Sequence, residues 1–138
     1  MICKIILLCY NITMKNNDIV LKIIKNSLTN LTAYEILDKF QKIKKVQPMA
    51  VYRALNNLIE KGKIHKSNQN KSFLLCNHLH KNKHNTSIAI CKKCGESEEL
   101  KSNLFKSILK KYSLKNYDFS FFELEVSTVC KRCAQWSI

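Results

Sequence analysis

With 138 residues, 46% of them hydrophobic, the chain suits one ordinary domain or two small ones sharing a core; two glycines and one proline leave little room for a disordered linker, and no repeat of solenoid length occurs. The formal net charge of +14 is uneven: residues 1–83 carry fifteen Lys/Arg against four Asp/Glu (net +11), residues 84–138 nine against six (net +3). A basic front half fits a polyanionic partner, because lysines that displace counterions from a phosphate backbone gain affinity by ion release. Lysine outnumbers arginine 22 to 2, so a coding bias towards AT-rich codons accounts for part of the charge but not for its asymmetry.

The leader MICKIILLCYNIT has a signal peptide's outline, yet it is too short to span a bilayer and lacks a small-residue cleavage site. Residues 1–13 are therefore expected to be a non-native or extended start, with the functional chain beginning near Met14. No membrane role is expected, and the location is cytoplasmic. In MKNNDIVLKIIKN, Ile19, Val20, Ile23 and Ile24 recur at helical spacing. Thr32 and Glu35 form a capping box, which opens a helix from about Ala33 to Ile43 with Ala33, Ile36, Leu37 and Phe40 inward. A third helix runs from Pro48 to just before Gly62. Its inward side is Val51, Ala54, Leu55, Leu58 and Ile59; Tyr52, Arg53, Asn56 and Asn57 face out. KIHK and SFLLC, joined by the polar turn SNQNK, then read as an antiparallel hairpin. Three helices and a hairpin make a winged helix-turn-helix, whose third helix enters the major groove while the hairpin flanks the backbone.

In the second half a strand is predicted over Thr86–Cys91 and a helix over Glu98–Tyr112, with Leu100, Leu104, Phe105, Ile108 and Leu109 buried. FSFFELEVSTV reads as a strand alternating Phe122, Leu124 and Val126 with Glu123, Glu125 and Ser127, and a symmetric partner would cover its apolar side. The fold class is α+β: a winged helix at 14–77, a hinge at 78–84 and a small α/β dimerisation domain at 85–138.

Four of the seven cysteines form two CxxC pairs, Cys91/Cys94 and Cys130/Cys133, at the ends of the two predicted strands. Paired thiolates at that spacing converge on one tetrahedral ion, and four sulfurs with no open position describe a structural Zn²⁺ site. Further candidate ligands are His65, Cys76, His78, His80, His84 and Glu99. If the hairpin pairs as read, His65 and Cys76 meet where the halves join, and such mixed N, S and O donors suit Zn²⁺ better than iron or manganese. No Ser-His-Asp order and no phosphate-binding glycine loop is present, so no enzyme is expected.

In AVYRALNNLIEKGKIHK, SFLLCNH and HNTSIAICKKCG the sequence resembles the zinc uptake regulators, a branch of the ferric uptake regulator family, and the similarity extends from about Ile19 to Cys133. The resemblance implies a homodimeric, zinc-dependent repressor that binds a palindromic double-stranded operator and shuts off zinc-uptake genes. It implies two zinc ions per chain, one structural at Cys91, Cys94, Cys130 and Cys133, and one regulatory at His65, Cys76, His84 and Glu99. It also places Tyr34 and Arg53 among the DNA contacts and leaves His78 and His80 as solvated loop residues. Cys3 and Cys9 have no counterpart, and Ser127 and Thr128 stand where many relatives carry His-Gly, which argues against a third metal site. The rival readings are a sensor of iron or manganese on the same fold, and a winged-helix DNA binder stapled by zinc without metal sensing.

Overall fold

The computed structural model describes residues 15–78, 84–111 and 115–136; the expected start at 1–13, with Cys3 and Cys9, lies outside them, as does His80. Helix α1 (Asn16–Lys25) buries Ile19, Val20, Ile23 and Ile24, the predicted stripe. A two-residue strand β1 (Leu31–Thr32) precedes α2 (Ala33–Gln41). Thr32 caps α2 by accepting the Glu35 amide, and the Glu35 carboxylate accepts the Thr32 amide at 2.7 Å, so two amides that α2 leaves unpaired find partners. Pro48 opens α3 (Pro48–Glu60), where its missing N–H costs nothing. Gly62 ends α3 at φ +63: its N–H and that of Lys63 bond back to the Ile59 and Leu58 carbonyls, a turn that requires the left-handed conformation glycine adopts freely.

Strands β2 (Ile64–Lys66) and β3 (Ser72–Leu75) form the expected hairpin, and β1 adds to its far side in the order β1-β3-β2. The three helices close over this sheet around Ile36, Phe40, Val51, Leu55, Ile64 and Phe73, all buried. This is the winged helix-turn-helix the sequence predicts.

The second sheet holds β4 (Thr86–Cys91) at its centre, antiparallel to β5 (Ser97–Glu99) and parallel to β6 (Glu123–Thr128). Here the structure corrects two expectations. Residues 97–99 are a strand, and the helix α4 starts only at Ser102 and is described to Lys111. Pairing of Ile88 with Glu99 on β4 overrides the helix-forming tendency of Glu98, Glu99 and Leu100. Nor is the α4 apolar side fully covered: Leu104 is 67% and Ile108 54% exposed, while Phe105 and Leu109 are half-buried. A short helix α5 (Lys131–Gln135), which the sequence reading did not anticipate, carries the last CxxC pair.

A small apolar seam of Leu74, Ile88 and Ile90 joins the halves. Around it lies a ring of polar bonds. The wing turn donates its Asn68 and Gln69 amides to the Glu125 carboxylate at 2.5 and 3.1 Å. Ser127 Oγ donates to Gln69 Oε1 at 2.8 Å, and Asn70 Nδ2 to the Gly95 carbonyl at 2.7 Å. Asn30 Nδ2 reaches Ser97 O and Oγ at 2.9 and 2.7 Å. The wing turn is thus docked on β6 and the β4–β5 turn, a role additional to flanking DNA.

Candidate metal centres and nucleic-acid surface

Cys91 ends β4, Cys94 lies in the turn after it, and Cys130 and Cys133 cap and enter α5. Gly95, at φ +76, lets its N–H return to the Cys91 carbonyl at 2.9 Å, folding the first knuckle. The parallel pairing of β4 with β6 sets Cys91 opposite Thr128, so both knuckles leave the same end of the sheet. The four sulfurs lie within 4.8 Å of one another, and no disulfide joins the described cysteines. Amides of Cys130 and Cys94 pull the Cys91 thiol down to about 6, whereas the Cys133 thiol's contact with the Cys130 sulfur, its burial and the Cys94 and Cys91 sulfurs push Cys133 up to about 12. One thiolate forms readily here; four together require a cation among them. That donor set fits a closed, tetrahedral Zn²⁺. The Arg132 guanidinium, its own pKa raised by Cys94, adds a positive charge beside the sulfurs.

The second centre is built from both halves. His65 is on β2 and Cys76 follows β3; His84 precedes β4 and Glu99 ends β5. One ligand atom from each lies within 4.8 Å of the other three. Glu99 Oε1 is 3.0 Å from His65 Nε2 and 3.8 Å from His84 Nε2, and Cys76 Sγ is 3.6 Å from His84 Nε2. The Glu99 side chain is only 2% exposed. Burial works to raise its pKa, but the close His65 ring, the Asn77 amide on Oε2 at 2.8 Å and His78 outweigh that and hold it at about 2. Burial pushes the Cys76 thiol up.

Whether these residues fit a metal is tested by His65 Nε2. It is fully buried and meets no hydrogen-bond geometry among the described residues, although the Glu99 oxygen is 3.0 Å away. Thr86 Oγ1 donates to the His84 carbonyl at 3.1 Å and so offers its lone pairs to His65 Nδ1 at 3.5 Å. With a cation at the centre, an Nδ1–H held by Thr86 leaves the Nε2 lone pair for the metal; without one, Nε2 faces the Glu99 carboxylate. Two nitrogens, one thiol sulfur and one carboxylate match the preference of Zn²⁺. A cavity of about 160 Å³, lined in part by His65, His84 and Thr86, adjoins the centre.

Sequence reasoning left His78 as a solvated loop residue. It is exposed in a loop, and its Nδ1 in addition lies 3.0 Å from Glu99 Oε1. The position just after Cys76 was the available signal. Thr86 was also missed, and nothing in its sequence context marks it.

On the outward side of α3, Arg53 and Asn56 are exposed and Tyr52 half-buried, and Tyr34 at the start of α2 is 76% exposed. Asn57 is exposed too, but its Oδ1 accepts from Asn17 Nδ2 at 2.7 Å, which ties α3 to α1. Lys42, Lys44 and Lys45 lie in the connection between α2 and α3.

Comparison with known proteins agrees with this architecture. The chain is 27% identical over 107 residues to the zinc uptake regulation protein of Escherichia coli (strain K12), a match spanning 76% of this chain and 63% of that protein, so it covers under two thirds of that relative's length. The crystal structure of holo XcZur superposes with a TM-score of 0.76 at 27% identity, covering 88% of this chain and 86% of that one. A zinc uptake regulator complexed with zinc and DNA gives 0.78 at 25% identity, covering 89% and 83%. The model of the ferric uptake regulator family matches residues 10–128, and the chain belongs to that family, whose members are regulators and not enzymes.

Proposed function

We propose that this chain is a zinc-responsive transcriptional repressor that binds a palindromic operator as a homodimer in the cytoplasm and represses zinc-uptake genes. One observation carries the reading: the second centre takes His65 and Cys76 from the winged helix, His84 from the end of the hinge and Glu99 from the following domain, all within 4.8 Å. The domain limits are 14–77 and 85–138 with the hinge at 78–84. Each chain holds two zinc ions, the Cys91/Cys94/Cys130/Cys133 staple and the removable one at the joint. Bound there, Zn²⁺ supplies a divalent charge that two neutral imidazoles, a thiolate and a carboxylate satisfy together. Only the closed arrangement of the halves presents those four donors at once, so filling the site favours closure by the difference in affinity between the two arrangements.

In the closed homodimer the two α3 helices are spaced for successive major grooves about 34 Å apart. Tyr52, Arg53 and Asn56 then meet base edges, an arginine pairing bidentately with guanine, and Tyr34 meets the backbone. Asn57, held by Asn17, steadies the helix. Likeness to a regulator solved with zinc and DNA supports this assignment.

The test is operator binding in buffered zinc. A coupling of ~1–3 kcal/mol makes the affinity rise about 5- to 150-fold as the joint fills, and operator DNA must tighten zinc binding by the same factor. A second reading has its own observation: the bonds from Asn68, Gln69, Asn70 and Asn30 hold the halves together without metal. It makes the protein a constitutive DNA binder with structural zinc alone, and DNA affinity indifferent to mild chelation would select it.

A further inference from the structure

Glu99 is the one ligand of the joint whose carboxylate must cross from the second domain to meet the wing. Two groups besides the ligands hold it there, and both come from the segment directly after Cys76. The Asn77 amide donates to Oε2 at 2.8 Å, and His78 Nδ1 lies 3.0 Å from Oε1. His78 does not join the four donors that lie mutually within 4.8 Å, so its ring approaches the carboxylate from outside the centre. Oε1 is the oxygen nearest both His65 and His84. An ionised carboxylate only accepts, so the short contact requires His78 to donate Nδ1–H.

We propose that His78 is a positioning residue of the regulatory centre: it clamps Glu99 Oε1 towards His65, Cys76 and His84 without itself ligating the metal. The inference rests on the regulatory reading of that centre. Its consequence is pre-organisation. Cys76, Asn77 and His78 form one three-residue unit, running from the wing into the hinge, that brings a ligand and two clamps to a ligand of the second domain. Removal of such an outer partner lowers metal affinity by roughly 10- to 100-fold. The ring is partly solvent-facing, 39% exposed, so its truncation leaves no core cavity.

The experiment titrates the removable site of the dimeric protein with Co²⁺ and with Zn²⁺ in the parent, His78→Ala and His78→Gln, with the structural zinc retained. The chelator-resistant zinc of each variant reports that the fold is intact. The expected result is a Co²⁺ spectrum unchanged at saturation in all three, affinity 10- to 100-fold weaker in His78→Ala, and substantial rescue in His78→Gln, whose amide can donate. Affinity within twofold of the parent in His78→Ala overturns the clamp. A shifted ligand-field spectrum in His78→Ala also overturns it, by making His78 a ligand. A parent that takes up no second metal defeats the regulatory reading itself, and the inference with it; equal uptake by parent and variant defeats the inference alone.

Discussion

Replacing Glu125 with alanine tests whether the wing is docked as the structure describes. The carboxylate accepts two consecutive wing-turn amides, Asn68 at 2.5 Å and Gln69 at 3.1 Å. Hydrogen bonds to a charged group contribute about 1.5–3 kcal/mol each when sheltered. Glu125 is half-buried and the turn exposed, so water competes, and about 2 kcal/mol for the pair is the appropriate scale. A loss of that size raises the population of the undocked wing roughly 30-fold, at about 1.4 kcal/mol per decade. Amide hydrogen exchange reads it directly: Asn68 and Gln69 should exchange about 30-fold faster in Glu125→Ala, while Leu55 and Leu58 in α3 keep their rates. Zinc affinity at the joint should fall too, by no more than the same factor, because that site draws on the same closure. Unchanged exchange at Asn68 and Gln69 would refute the docking.

Four other outcomes follow from single residues. Thr32→Ala removes the α2 cap and should cost about 1 kcal/mol in urea unfolding at neutral pH. Its partner's pKa is lowered, first by the Thr32 amide, so the Glu35 contribution is present above the ordinary value of 4.5 and disappears as pH falls through the lowered one; the stability difference between parent and Glu35→Gln should shrink in that acid window. Arg53→Ala should weaken specific operator binding by ~1–3 kcal/mol and relax discrimination at one base pair, measured by titration against operator variants. Asn57→Ala should instead lower stability by ~0.5–1.5 kcal/mol through loss of the Asn17 bond, with base discrimination unchanged.

Much of the architecture was legible because local signals agreed with the fold. The Thr32/Glu35 box, Pro48 and Gly62 mark helix ends by backbone chemistry that does not depend on distant residues. The CxxC pairs announce convergence by their spacing. What escaped depends on partners far along the chain. Ser97–Glu99 carries helix-forming residues and becomes a strand only because β4 is alongside; that strand is what sends Glu99 towards the wing. The α4 apolar stripe was recognised, but a single chain leaves Leu104 and Ile108 exposed. His78 looked like one more loop histidine, since its meaning lies in a carboxylate 21 positions away. The wing-turn latch on Glu125, 57 positions from Asn68, leaves no local trace either.

The central claim is that a removable metal site joins the two domains beside a permanent one. Zinc per chain, determined by elemental analysis before and after mild chelation, tests it in the parent and in Cys76→Ser. The account predicts that the parent falls from two zinc ions to one and that Cys76→Ser starts at one and stays there. A single chelator-resistant zinc in both proteins would contradict it.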